Sequence, residues 1–298
     1  MDSVIVTSPI YNKRTKRTPG IIHILRLYTI CYLLYTIYMK YIDIHSHLGF
    51  EDYGVDRAHV IKRMINHKVG TIAVGADYQS SVEAVRVTEE FEHIWACIGM
   101  HPTQISEERF DENKYEELIK HPRVVAVGEC GLEYFKLTGD IEKIKINQRE
   151  DFIKQINLAL KYNKPLMLHI RDGEKRGEAY EDAYSILKDY KGKIKGDVHF
   201  FAGSLDWAKR FIDLGFTISF TGLITYIKDF DKIIKTVPLE SLQAETDAPY
   251  VTPVPYRGQR NEPAYVIEVY KKIAEIRGED PEGVRLQLLA NAKRVFGI

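Results

Sequence analysis

Histidines and carboxylates recur in this chain at the ends of short apolar runs. The segment YIDIHSHL at 41–48 sets His45 and His47 two residues apart, and PLMLHIRD at 165–172 ends on His169 and Arg171. KGDVHFFAG at 195–203 adds His199, VVAVGECGLE at 124–133 adds Glu129 and Glu133, and LQAETDAP at 242–249 adds Asp247. In an extended strand residues i and i+2 face one side, so Asp43, His45 and His47 share a face and the two imidazoles can grip one ion. The four histidines and the carboxylates of Glu129 and Asp247 exceed what one tetrahedral ion takes. Two divalent ions sharing one carboxylate would use all six. Buried without an ion, such a set would be costly. The chemistry implied is hydrolysis by activated water, and a mixed nitrogen and oxygen shell admits Mg²⁺, Mn²⁺ or Zn²⁺.

Residues so far apart in sequence need a scaffold that brings strand ends together. Eight apolar, β-branched segments (41–48, 71–77, 94–102, 124–133, 165–172, 195–203, 216–222 and 242–249) alternate with amphipathic stretches at 56–67, 80–92, 147–163, 179–190 and 205–214. Two more helical patterns, 263–277 and 281–296, follow the last strand. Near-continuous hydrophobic strands separated by helices read as parallel βαβ units, and eight of them predict a (β/α)₈ TIM barrel, a single α/β domain over 40–298. Each candidate ligand falls at a strand's C-terminal end, the face on which active sites of this barrel sit. His101, in GMHP after the third strand, is at that face too, as a substrate contact or a loop-structuring residue. His59, His67, His93 and His121 fall in helices or connections and are expected to be surface or capping residues.

The formal charge is zero, with 42 basic and 42 acidic side chains, which argues against a protein that coats nucleic acid by bulk electrostatics. That total hides a seam. Residues 1–39 carry five basic and one acidic side chain, net +4, so residues 40–298 carry 37 and 41, net −4. The uncharged run Leu27 to Met39 has 13 residues, against roughly 20 for a bilayer span, although Tyr28, Tyr32, Tyr35 and Tyr38 recur at helical spacing. Residues 1–39 therefore read as a non-core extension: either dispensable sequence upstream of a start at Met39, or a targeting or anchor helix, and membrane contact is expected only in the second case. Three cysteines without a C-x-x-C pair do not make a disulfide framework or a thiolate zinc site and suit a reducing cytoplasm.

YIDIHSHL, GMHP, VVAVGECGLEYFK, PLMLHIRD, DVHFFAGS and ETDAPYVTPVPYRGQRNEPAYV, in that order across 41–298, resemble the successive signatures of the TatD family of metal-dependent hydrolases. ETDAPY followed by PYRGQRNEP is the most diagnostic, whereas D-x-H-x-H is shared by the wider amidohydrolase superfamily. The resemblance implies a (β/α)₈ barrel, a binuclear divalent-metal site and deoxyribonuclease activity. On matching positions it implies His45, His47 and Asp247 on one ion, His169 and His199 on the other, and Glu129 bridging. Glu133 stands where the family usually has Asp, and Phe200 and Ala202 where it usually has Cys and Ser.

With such a site, Asp247 is placed to accept a proton from water and Glu129 to hold both ions, which makes these two the candidate catalytic carboxylates. Arg171, Arg257, Arg260 and Asn261 are candidate substrate contacts, because guanidinium forks match phosphate oxygens without reading bases. For Arg257 and Arg260 a loop salt bridge with Glu262 is the ordinary alternative. Tyr134, Phe135 and Tyr256 could offer stacking faces. DNA, single-stranded or at its ends, is the expected substrate of a monomer that forms no stable nucleic-acid complex. An ester or amide hydrolase, such as an aminoacyl-tRNA deacylase, would use the same site. A non-catalytic partner of a membrane or secretion assembly is the alternative of another class.

Overall fold

The computed structural model describes residues 39–298 except Phe91 and Glu107. Residues 1–38 of the extension read at 1–39, with its possible helix, lie outside the described residues. Eight strands, β1 (Tyr41–Ser46), β2 (Val69–Val74), β3 (Ile94–Ile98), β4 (Val124–Glu133), β5 (Leu166–Arg171), β6 (Gly196–Val198), β7 (Phe216–Phe220) and β8 (Leu242–Ala244), form one sheet in sequential order. Every neighbouring pair is parallel. The ring closes where Ser46 bridges Ala248, with His47 N–H donating to the Ala248 carbonyl at 2.7 Å and Asp247 N–H to that of His45 at 3.0 Å. This is the eight-unit barrel expected from the apolar runs. All six residues of β2 and all ten of β4 are buried, as strands covered on both faces must be.

The helices α1 (Arg57–His67), α2 (Tyr78–Glu90), α3 (Glu112–Ile119), α4 (Ile141–Lys161), α5 (Glu178–Leu187), α6 (Leu205–Asp213), α7 (Asp231–Thr236), α8 (Val266–Arg277) and α9 (Pro281–Phe296) alternate with the strands or follow β8. The short helices α3 and α7 were not anticipated, and α4 starts six residues before the periodicity at 147–163 suggested. Local chemistry sets several ends. Asp140 caps α4 by accepting from Lys143 N–H, Ser204 caps α6 through Trp207 N–H, and Asp280 caps α9 ahead of Pro281. No helix among the described residues is long and apolar enough to cross a membrane.

Beneath the candidate ligands the barrel interior carries buried polar side chains, among them Asp43, Asp197 and Gln243. Asp43, fully buried, accepts from Thr246 N–H at 2.8 Å and Thr246 Oγ1 at 2.7 Å, so it ties β1 to the segment just before Asp247. Burial pushes its carboxyl well above the usual range despite the Thr246 bonds. Where β4 meets β5, Gly131 has φ +139°, and a Cβ there would fall 2.1 Å from the His169 carbonyl oxygen. A residue with a side chain would push apart the two strands that carry Glu129 and His169.

Candidate metal centre and active site

His45, His47, Glu129, His169, His199 and Asp247 converge at the C-terminal end of the barrel. Glu129 is their hub. Its Oε2 lies 3.4 Å from His45 Nε2 and 3.8 Å from His47 Nε2, and its Oε1 lies 2.8 Å from His169 Nδ1 and 3.3 Å from His199 Nε2. Asp247 Oδ1 completes the first group, 3.7 Å from His45 Nε2 and 3.5 Å from His47 Nε2. Asp247 sits beyond β8 at φ 55°, a left-handed conformation that Asp tolerates better than most residues.

Each of the four histidines turns one ring nitrogen toward Glu129, and for three of them the other nitrogen is held from outside. His47 Nδ1 is 3.1 Å from the Val74 carbonyl, His169 Nε2 is 3.0 Å from Glu133 Oε2, and His199 Nδ1 is 2.9 Å from Glu245 Oε2. An acceptor on the outer nitrogen fixes the tautomer that leaves a lone pair on the inner one, the arrangement typical of metal-ligating imidazoles. The donor set thus fits divalent ions. Triads His45, His47, Glu129 and His101, Glu129, His169 each bring their atoms within 4.8 Å of one another.

The charges reinforce one another. Burial would raise Glu129, yet the surrounding histidines, His101, His199 and His45 foremost, hold it well below the ordinary carboxylate range. Asp247 is likewise lowered: burial opposes ionisation and is outweighed by the bond to His47 and by His199 and His45. Burial alone would depress His199 and His169, but Glu245 with Glu129 raises the first, and Glu129 with Glu133 raises the second. His45 falls, through burial and the charge of His199.

His101 does reach the site. Its Nε2 is 3.5 Å from Glu129 Oε1 and its Nδ1 2.7 Å from Thr103 Oγ1, while burial and His169 push its pKa down to about 3. Arg171 and His101 line the cavity of about 490 Å³ above the cluster, together with Phe50, Phe200 and Tyr250.

The remaining substrate candidates go elsewhere. Arg260 grips Asp56 with two bonds of 3.0 and 2.6 Å and covers the Tyr53 ring, with Glu262 at 3.9 Å a minor neighbour. Asn261 is fully buried and donates to the carbonyls of Thr246 and Tyr250, so it shapes the loop that carries Asp247. Arg257 donates to Tyr226 Oη at 2.9 Å. None of the three lines the cavity. Of the proposed stacking rings, Tyr134 is buried with its hydroxyl on Asp182, Tyr256 is stacked on Tyr265, and Phe135 is 40% exposed. Among the background histidines, His93 is buried rather than superficial, and His121 lies 3.8 Å from Glu89.

Glu245 was missed. It is fully buried and takes both His199 Nδ1 and Phe200 N–H, the latter at 2.7 Å. Its position two residues before Asp247 in ETDAP was the available signal.

Comparison with known proteins agrees with this geometry. The family model described as TatD related DNase matches residues 42–297. The Bacillus subtilis metal-dependent hydrolase YabD is 37% identical over 263 residues, covering 86% of this chain and 98% of its own. The Escherichia coli 3'-5' ssDNA/RNA exonuclease TatD is 30% identical over 267 residues, covering 86% and 98%. Among solved structures, the Escherichia coli TatD homolog YJJV superposes with a TM-score of 0.77 at 26% identity, over 87% of this chain and 98% of that one. The chain belongs to the TatD family of metal-dependent hydrolases.

Proposed function

We propose that this hydrolase is a two-metal phosphodiesterase that trims single-stranded DNA from its 3′ end. One observation carries the metal count: the two oxygens of Glu129 face different groups, Oε2 toward His45 and His47 and Oε1 toward His169 and His199. His45, His47 and Asp247 would hold one divalent ion, His169 and His199 the other, and Glu129 both. Ions bound there would supply a nucleophilic water at neutral pH and polarise the scissile phosphodiester.

The chain's own residues do the rest. Asp247, ionised in its buried setting, takes a proton from the attacking water. Glu245 and Glu133 keep His199 and His169 in the required orientation. Arg171, its side chain 53% exposed at the cavity wall, offers its guanidinium to a phosphate. The relative named as a 3'-5' ssDNA/RNA exonuclease supports the bond class and the polarity. A body with net charge −4 over residues 40–298 suits short contact with strand ends more than tight duplex binding.

Metal analysis of the purified chain, followed by assays on end-labelled single-stranded and duplex DNA with Mg²⁺ or Mn²⁺ and an EDTA control, tests this reading. Two equivalents of metal and stepwise shortening from the 3′ end are expected, with Asp247→Asn losing roughly 10²-fold or more in rate. Fewer than two equivalents at saturation would overturn the binuclear site. Turnover of carboxylic esters or amides with DNA left intact would overturn the nuclease.

A further inference from the structure

A second cavity, of about 690 Å³, adjoins the catalytic one and shares Ile170, Arg171 and Ala202 with it as a common wall. It lies over the segments that follow β5, β6 and β7, and Phe135, Arg176 and Trp207 line it further out.

Its lining suits a polyanion carrying flat rings. The Arg171 guanidinium lies over one face of the Phe135 ring, 4.0 Å from its centroid, and Phe135 keeps 40% of its surface exposed. Arg176 is exposed and has no carboxylate partner among the described residues, whereas most arginines here are paired, as Arg63 is with Glu262 and Arg149 with Asp182. Trp207 is held in place: it stacks on Tyr180 with ring centroids 6.1 Å apart and 27° between planes. The Arg210 guanidinium lies over the same indole, 4.6 Å from its centroid, so Trp207 is a fixed wall of the cavity and not a free stacking face. Of the acids here, Glu133 lies 3.9 Å from Arg171, Asp229 lines the cavity, and Asp172 accepts from Gly177 N–H at 2.6 Å and Ala179 N–H at 3.0 Å. The charge of Asp172 is spent at the start of α5 and does not pair with the arginines.

We propose that this cavity is a subsite for the nucleotides next to the reacting 3′ end of a single strand, with Phe135 stacking on a base and Arg171 and Arg176 meeting the phosphates. Stacking accepts any base, so the subsite selects single strands over duplex without reading sequence. The proposal rests on the phosphodiesterase reading above and adds to it a length requirement and a direction across the surface, from the metal cluster over the ends of β5 and β6.

The test uses the full chain loaded with Mn²⁺ and three substrates: bis(p-nitrophenyl) phosphate, a dinucleotide, and single-stranded oligonucleotides of increasing length. For the wild type, kcat/KM is expected to climb from the dinucleotide to about four nucleotides and then level off. Phe135→Ala and Arg176→Ala should each raise KM for the longer strands about ten-fold, the size of one lost stacking or phosphate contact, and leave bis(p-nitrophenyl) phosphate turnover unchanged. A wild-type kcat/KM that ignores length, or variants that slow the small diester in parallel with the oligonucleotides, would overturn the subsite while leaving the phosphodiesterase standing. Ester hydrolysis with no diester cleavage would remove the phosphodiesterase reading, and the subsite with it.

Discussion

His199 meets the Glu129 cluster with its outer nitrogen 2.9 Å from Oε2 of Glu245, a carboxylate that is itself wholly buried. The second oxygen of Glu245 accepts the Phe200 N–H at 2.7 Å, so one side chain fixes both the imidazole and the backbone beside it. An amide in its place has one acceptor oxygen. Glu245→Gln is therefore expected to leave either His199 or Phe200 without its acceptor and to lower metal affinity or activity about 10–100-fold. Metal titration by calorimetry, with circular dichroism to show that the variant folds, checks this.

If the cluster is a metal site, the folded state binds ions that the unfolded chain does not hold in place, and stability becomes linked to their concentration. At about 100 times the dissociation constant the gain is about 2.7 kcal/mol, which for a chain of this size raises Tm by roughly 4–5 °C. EDTA should remove the gain, and Glu129→Ala should abolish most of it, because both oxygens of Glu129 face the candidate ligands. A thermal scan with and without Mn²⁺ decides. An unchanged Tm would mean that the histidines are buried for another purpose.

The barrel and the six clustered residues could be read from sequence because both depend on local signals. Runs such as TIAVGAD mark strands buried on both faces, and polar residues at the ends of such runs have few reasons to be there. What could not be read is pairing across distance. Arg260 and Asn261 follow Asp247 closely enough to look like substrate contacts, yet Arg260 finds Asp56, 204 positions away. Asn261 turns inward to two backbone carbonyls. Glu245 is the opposite case: its neighbourhood to Asp247 was visible, but its role depends on where His199 comes to rest. Helices α3 and α7, with 8 and 6 residues, were too short to show a clear period.

His93, just before β3, gives a pH dependence separate from the site. Burial, aided by the charge of Arg123, holds its pKa down at about 4, against an ordinary value of 6.5. Between those values the unfolded chain takes up a proton that the folded chain refuses. Stability is therefore full above about pH 6.5 and falls as pH drops toward 4, by on the order of 2–3 kcal/mol. In His93→Gln that contribution disappears. Urea denaturation of both proteins at pH 7.5 and 4.5 is expected to show the wild type losing more stability over this window than the variant; equal losses would refute the assignment.

Arg171, proposed above as a phosphate contact, and Arg260, held in a loop ion pair, should respond differently to salt. Arg171 stands at the wall shared by the two cavities, its side chain 53% exposed and its nearest carboxylate, Glu133 Oε2, 3.9 Å away. Arg260 is spent on Asp56 and on the Asp52 carbonyl at 2.7 Å. A phosphate contact releases a counterion, so its loss weakens binding and flattens the dependence of log Kd on log salt by about 0.7 for a single strand. An ion pair in a loop contributes to stability and leaves that slope alone. In an Asp247→Asn background, which permits binding without turnover, Arg171→Ala should weaken oligonucleotide binding and reduce the salt slope. Arg260→Ala should keep the slope and lose about 1 kcal/mol of stability or less. Fluorescence anisotropy across a salt series, paired with urea denaturation, reads both quantities. A reduced slope in Arg260→Ala would put the loop after β8 back on the DNA path, and an unchanged one in Arg171→Ala would take β5 off it.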